Sequence, residues 1–260
     1  MMVGRRAAIS ALVASALAAH GWAQQPGREK ATEPGHAQTV NVFAAASLTA
    51  ALQAVGAAFE KNHPDLKVQF NFAGSPTLVQ QIQQGAPADV YASADEANMQ
   101  KLVDSGEAAG APRLFARNNL EIVVAAGNPK HITGLADLAK PGLIIALCGP
   151  TVPCGRYATE AFGKAGVAVP TASQELDVKA VLSKVVLGEA DAGIVYVTDV
   201  RAAAGKVEGV TIPEPNNVTA RYPIALMKNA PNALAAAAFI EFVLAPDGQQ
   251  LLAGFGFLRR

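Results

Sequence analysis

Two serines stand where oxygen chemistry is possible. Ser47, in Phe43-Ala44-Ala45-Ala46-Ser47-Leu48, and Ser75, in Asn71-Phe72-Ala73-Gly74-Ser75-Pro76-Thr77, each follow a β-prone run and open a helical one. A hydroxyl there sits beside unpaired backbone N–H groups and the positive end of a helix dipole, a combination suited to an oxyanion. The same position is also that of an ordinary helix N-cap worth about 1 kcal/mol, with Pro76 at the first helical position, so both readings stand. A third turn, Cys148-Gly149-Pro150-Thr151-Val152-Pro153-Cys154-Gly155, follows the β-prone run Leu143 to Leu147 and precedes a helix starting near Arg156. In an oxidising compartment its two cysteines can close a small loop worth roughly 2–3 kcal/mol. The spacing is not Cys-x-x-Cys and no histidine follows closely, so a structural bridge is preferred to a redox or metal pair. Tyr196, in Gly193-Ile194-Val195-Tyr196-Val197, reads equally as a core tyrosine or as a hydroxyl at a cleft. Asp89 and Asp95 can be imagined as an acid pair, but surface or capping carboxylates are the commoner case.

Other chemistries find little material. Gly74-Ser75-Pro76 lacks the Gly-x-Ser-x-Gly elbow, Gly163-Lys164-Ala165 lacks the P-loop Ser or Thr, and Gly254-Phe255-Gly256 lies past the sheet. His20, His36, His63 and His131 form no close pair for a metal. Lys plus Arg and Asp plus Glu each number 21, and this balance lacks the basic excess of a nucleic-acid binder.

The elements that must carry these turns alternate strand and helix. β-prone runs occur at Val40–Ala44, Val68–Phe72, Asp89–Ala92, Glu121–Ala125, Leu143–Leu147, Gly193–Val197 and Tyr222–Met227, with helical periodicity between most of them. Two further helices are expected around Leu234–Val243 and Gly248–Leu252. The pattern implies an α/β fold with mostly parallel sheets flanked by helices, whose ligands sit beyond the carboxyl ends of the strands. With 260 residues and 51% hydrophobic side chains, two lobes are expected rather than one sheet. Arg5 and Arg6, the apolar run Ala7–Ala19 and Gly21-Trp22-Ala23 predict a secretory signal peptide over 1–23, too short in its apolar part to span a bilayer. Its removal leaves a slight acidic excess. Residues 24–39, with Pro26, Gly27, Pro34 and Gly35, read as a flexible leader.

Taken together, Ala44-Ala45-Ala46-Ser47-Leu48, Gly85-Ala86-Pro87-Ala88-Asp89-Val90, Val152-Pro153-Cys154-Gly155 and Gly188-Glu189-Ala190-Asp191-Ala192-Gly193-Ile194-Val195-Tyr196 resemble the molybdate-binding periplasmic proteins of molybdate ABC transporters, in order from about Val40 to Leu258. The resemblance implies a two-lobed type II periplasmic-binding-protein fold crossing between lobes near Asn118 and Thr219. Residues 40–117 and 220–260 would form lobe I, and 118–219 lobe II. It implies a molybdate or tungstate ligand held by the hydroxyls of Ser47, Ser75 and Tyr196 and by the backbone N–H groups of Cys154 and Val178. Cys154 stands where the family commonly has alanine, and Pro76 removes an N–H that many members have. It further implies an exported, periplasmic monomer with no cofactor, no catalysis and no nucleic acid, whose partner is a membrane-embedded ABC permease. Sulfate or another oxyanion is the alternative ligand; a hydrolase using a turn serine and a ferric-ion carrier are more distant alternatives.

Overall fold

The computed structural model describes residues 38–260; the expected signal peptide and nearly all of the expected leader lie outside the described residues. Gln38 and Thr39, assigned from sequence to the leader, open the first strand instead. The chain then runs β1 (Gln38–Ala45), a short 3-10 turn (Ala46–Leu48), α1 (Thr49–Asn62), β2 (Leu66–Ala73), α2 (Ser75–Gln83), β3 (Val90–Ala92) and α3 (Glu96–Asp104). There follow β4 (Arg113–Ala125), β5 (Ile145–Cys148), α4 (Pro153–Ala165), β6 (Ser173–Glu175), α5 (Val178–Val186), β7 (Ala192–Tyr196), α6 (Val197–Ala202), β8 (Val207–Thr211), β9 (Thr219–Leu226), α7 (Ala233–Leu244) and α8 (Pro246–Gly254).

The strands form two parallel trios. β1 pairs with β2 from Gln38↔Leu66 to Ala45↔Ala73, and β3 takes the other edge of β1. In the second trio β5 lies between β6 and β7. Crossover helices cover the trios, as parallel strands require. The strands joining them depart from the parallel expectation. β9 runs antiparallel to β3, and β4 is antiparallel to β9, β7 and β8. β4 pairs with β9 from Arg113 to Asn119 and with β7 and β8 from Leu120 onward, so it changes partners at one point along its length.

β4 begins at Arg113, well before the β-prone run that starts at Glu121, because its first half breaks the apolar pattern with Arg117, Asn118 and Asn119. β6 and β8 carry no sequence signal. β6 is a polar three-residue edge. β8 is interrupted by Gly209, where a Cβ would lie 2.6 Å from the Glu121 side chain of its neighbour.

Period-2 alternation divides the first trio's side chains between two cores. Val40, Val42 and Ala44 of β1 face α1 and α7, whereas Phe43 and Tyr91 face a smaller cluster under α2 and α3 with Leu78, Met99 and Leu102. On the larger side Phe59 is fully buried, edge-on to Phe239 at 5.4 Å and to Phe242 at 5.7 Å between ring centroids. Phe59→Ala should therefore lower unfolding free energy by about 3–5 kcal/mol, the range for an emptied aromatic core site. Urea titration checks it: a loss under 1 kcal/mol would mean that α1 and α7 collapse onto the gap.

Candidate binding site

A small cavity lies at the carboxyl ends of the parallel strands. All six deliver a turn to it: Ala45 to Ser47 after β1, Gly74 and Ser75 after β2, Ala94 after β3, Val152 to Cys154 after β5, Asp177 and Val178 after β6, and Tyr196 at the end of β7. The five residues singled out by the resemblance, Ser47, Ser75, Cys154, Val178 and Tyr196, all line this one cavity.

The helix starts around it are chemically unusual. Ala45, Gly74 and Val152 occupy the cap positions of the 3-10 turn, α2 and α4, and none supplies a side-chain cap. The first N–H groups of a helix have no partner within it, so these starts hold donors that no side chain of their own satisfies. By contrast α5 is capped by Asp177, which accepts from Lys179 N at 2.8 Å and Ala180 N at 3.0 Å. Val178 is the first residue of α5 and Cys154 the second of α4, so the backbone N–H of each belongs to a helix's opening turn.

The N-cap reading of the two serines is not met. Gly74, extended at φ −59° and ψ 139°, takes the cap position, which makes Ser75 the first helical residue and moves Pro76 to the second. Ser47 sits inside the 3-10 turn. Relieved of capping, both hydroxyls are bonded from behind. Ser75 Oγ accepts the Ala94 N–H at 3.1 Å, which leaves its own proton to donate elsewhere. Ser47 Oγ lies 3.1 Å from Tyr222 Oη.

Tyr196 is 1% exposed, and its Oη has no hydrogen-bond partner although it is buried against the cavity. A buried hydroxyl without a partner costs about 1–3 kcal/mol, so it marks a place where an acceptor belongs. Its ring stands edge-on to Tyr222 at 5.9 Å. Cys148 and Cys154 are disulfide-bonded with Cα atoms 5.9 Å apart, as expected, which ties the end of β5 to the start of α4. Gly155 completes the turn: a Cβ there would come within 2.3 Å of the carbonyl oxygens of Cys148 and Gly149.

Two buried carboxylates near the cavity are paired with cations, while Asp177 in its lining is engaged in capping α5. Asp95, fully buried at the start of α3, pairs with Arg156 of α4 and accepts from Asn98 N at 2.8 Å. Lys179 Nζ lies 2.8 Å from Oδ1 of the buried Asp199, whose carboxyl burial nevertheless pushes up in pKa. Asp89, also fully buried, accepts from Asn41 N and Asn232 N. Neither Asp89 nor Asp95 lies on the surface; Asp95 caps α3, as the capping reading has it, and both hold the framework together. Among the described residues no group of three or more His, Cys, Asp or Glu is placed to hold a metal ion.

The cavity's supporting residues Ala94 and Tyr222 escape the sequence reading. Asp95 was named there, and its signal is a carboxylate one residue ahead of a helix. Tyr222 carries none, since it lies far along the chain on β9.

Two parallel-strand halves joined by antiparallel strands, with a cavity at the strand ends, define the two-lobed solute-binding protein architecture. The chain belongs to the bacterial extracellular solute-binding proteins, whose family pattern matches residues 40–258. It is 41% identical over 251 residues to the molybdate-binding protein ModA of Mycobacterium tuberculosis, covering 96% of each chain. It is 35% identical to the molybdate-binding protein ModA of Escherichia coli, covering 84% of this chain and 88% of the other. Among solved structures, the substrate-binding domain of a putative molybdenum ABC transporter from Clostridium difficile matches with TM-score 0.64 at 29% identity, covering 85% of this chain and 99% of that one. The Azotobacter vinelandii periplasmic molybdate-binding protein matches with TM-score 0.75, covering 85% and 99%; at 21% identity that likeness concerns the fold. The family binds solutes, and the hydrolase alternative falls with that membership.

Burial lifts the phenols of Tyr91, Tyr196 and Tyr222 well above their ordinary value near 10. Folded protein then holds these protons where unfolded chain releases them. Their contribution to stability is whole below about pH 10 and is lost as pH rises from there toward the folded-state values. Urea midpoints measured from pH 7 to 11.5 should decline above about pH 10, with a smaller decline in Tyr222→Phe; equal alkaline slopes in the two proteins would contradict the assignment.

Proposed function

We propose that the protein captures molybdate outside the cytoplasm and delivers it to an ABC permease in the membrane. The observation that carries this reading is the buried, unpartnered hydroxyl of Tyr196, which faces a cavity ringed by uncapped helix starts. The ligand set is Ser47, Ser75 and Tyr196 through their hydroxyls, and Cys154 and Val178 through their backbone N–H groups. Molybdate-binding relatives at 41% and 35% identity support the choice of ligand.

The chemistry favours a fully ionised tetrahedral dianion. Such an anion carries acceptors only, so a site built of donors leaves none of its oxygens facing another acceptor. Hydrogen phosphate would bring a donor against donors and forfeit a bond worth on the order of 1–3 kcal/mol. Sulfate has the right charge and is excluded only by its smaller size, which reaches fewer donors at once. Tungstate matches molybdate in size and charge and binds alongside it. No cofactor takes part.

Residues 40–117 with 220–260 act as one lobe and 118–219 as the other, with β4 and β9 as the links about which the cleft opens and closes. A ligand contacted by Ser47 and Ser75 on one side and by Cys154, Val178 and Tyr196 on the other favours the closed form by its difference in affinity for the two states. The protein works as a monomer, exported by the segment 1–23, and the permease reads the closed form.

Thermal-shift and calorimetric titrations test the ligand. Molybdate and tungstate should each raise the melting temperature, while sulfate and phosphate at the same concentration do little. A sulfate shift as large as that of molybdate would make this a sulfate carrier. Ser47→Ala and Ser75→Ala should each weaken molybdate binding by about 1.5–3 kcal/mol, the range for a hydrogen bond to a charged group. Unchanged affinity in both variants would sink the assigned ligand set.

A further inference from the structure

We propose that Tyr222 is a positioning residue that fixes the direction of the Ser47 hydroxyl, so that Ser47 can act on the bound anion only as a donor. The inference rests on the molybdate reading of the site and concerns a residue outside its ligand set.

Tyr222 is fully buried on β9, and its ring is held edge-on by Phe115 at 6.3 Å, Tyr196 at 5.9 Å and Phe257 at 5.5 Å between centroids. The ring therefore cannot swing to find a new partner. Its Oη lies 3.1 Å from Ser47 Oγ, and either oxygen could donate on distance alone. The burial of the phenol decides between them, since Ser47 is the one hydrogen-bond partner of Tyr222 Oη among the described residues.

The phenol proton therefore has Ser47 Oγ as its acceptor. Were Ser47 to donate to the phenol instead, the Tyr222 proton would be buried without a partner, at a cost of about 1–3 kcal/mol. So Tyr222 donates, Ser47 accepts, and the Ser47 proton is left for the cavity that Ser47 lines. Ser75 is treated in the same way from the other side, with the Ala94 N–H filling its acceptor site. The two serines become one-way donors through different groups, a side chain in one case and the main chain in the other.

A double-mutant cycle on molybdate affinity tests this, because a residue that acts only through Ser47 has nothing to lose once Ser47 is gone. Tyr222→Phe keeps the ring and removes the hydroxyl. In the otherwise native protein it should weaken molybdate binding about tenfold, the lower end for a hydrogen bond to a charged group. In a Ser47→Ala background the same change should alter affinity by less than about twofold, the usual limit of additivity for independent sites. Melting temperatures without ligand, measured on all four proteins, check that each is folded. Equal losses in both backgrounds would show that Tyr222 only fills space and would overturn the proposal, as would an unchanged affinity in Tyr222→Phe. A native protein that ignores molybdate would instead overturn the ligand assignment, and the native titration alone reveals that case.

Discussion

The N–H groups that open a helix have no partner inside it, and most proteins satisfy them with a polar side chain at the cap. Here the 3-10 turn before α1, α2 and α4 begin instead behind Ala45, Gly74 and Val152, which have nothing to offer. These uncapped starts converge with the unpartnered Tyr196 hydroxyl on one small cavity. Much of the surrounding structure serves to keep that concentration of donors from satisfying itself. The cationic side chains beside it are bound to carboxylates, Arg156 to Asp95 and Lys179 to Asp199. The serine acceptor sites are filled from behind. What remains is a hollow lined by donors without a formal positive charge, with the one carboxylate in its lining, Asp177, turned to capping α5. It suits an anion whose own charge is fixed.

Such a hollow is stable only if its walls are rigid and its two sides are joined in few places. The parallel trios give rigidity, with β1, β3, β5 and β7 buried and each turn set by the strand before it. The disulfide adds to this at the β5–α4 turn, where Gly155 packs against two carbonyl oxygens and leaves no room for a longer side chain. The connection between the halves falls to β4 and β9, which pair with each other from Arg113 to Asn119. Asn118 lies at this junction and donates to Thr198 of α6 at 2.8 Å, and Asn119 accepts from Thr219 of β9 at 2.9 Å. The polar residues that break the apolar pattern of β4 are thus those that tie the crossing strands to each other and to α6.

This explains what could be read in advance and what could not. Strands whose two faces are both covered announce themselves as apolar runs, as β1, β3, β5, β7 and β9 did, and the edge strand β2 was visible by its alternation. The first half of β4 was hidden because Asn118 and Asn119 are used for side-chain hydrogen bonding rather than packing. β6 is too short and polar to register, and Gly209 interrupts β8 to make room for Glu121. At the site, motifs carried by consecutive residues were legible, which is why Ser47, Ser75, Cys154, Val178 and Tyr196 could be named together. Their placement as caps was wrong for both serines, since a local pattern of serine before a helical run does not distinguish the cap from the first helical residue. Tyr222 and Ala94 act across distances in sequence of 175 and 19 residues, and no local pattern records such a pairing.

A hydroxyl is ambiguous by nature, able to donate and to accept, and a pocket made of hydroxyls would on its own accept protonated and ionised anions alike. The arrangement removes that ambiguity one residue at a time. Ala94 does so for Ser75 with a main-chain amide that cannot reorient, and the rigid ring of Tyr222 does so for Ser47. Burial keeps the Tyr222 and Tyr196 protons in place by raising both pKa values well above 10. Selectivity then divides into two separable parts: the direction of the donors rejects a protonated ligand, and the span of the cavity rejects an ionised one that is too small. Substitutions behind the serines act on the first, and substitutions that move the helix starts act on the second.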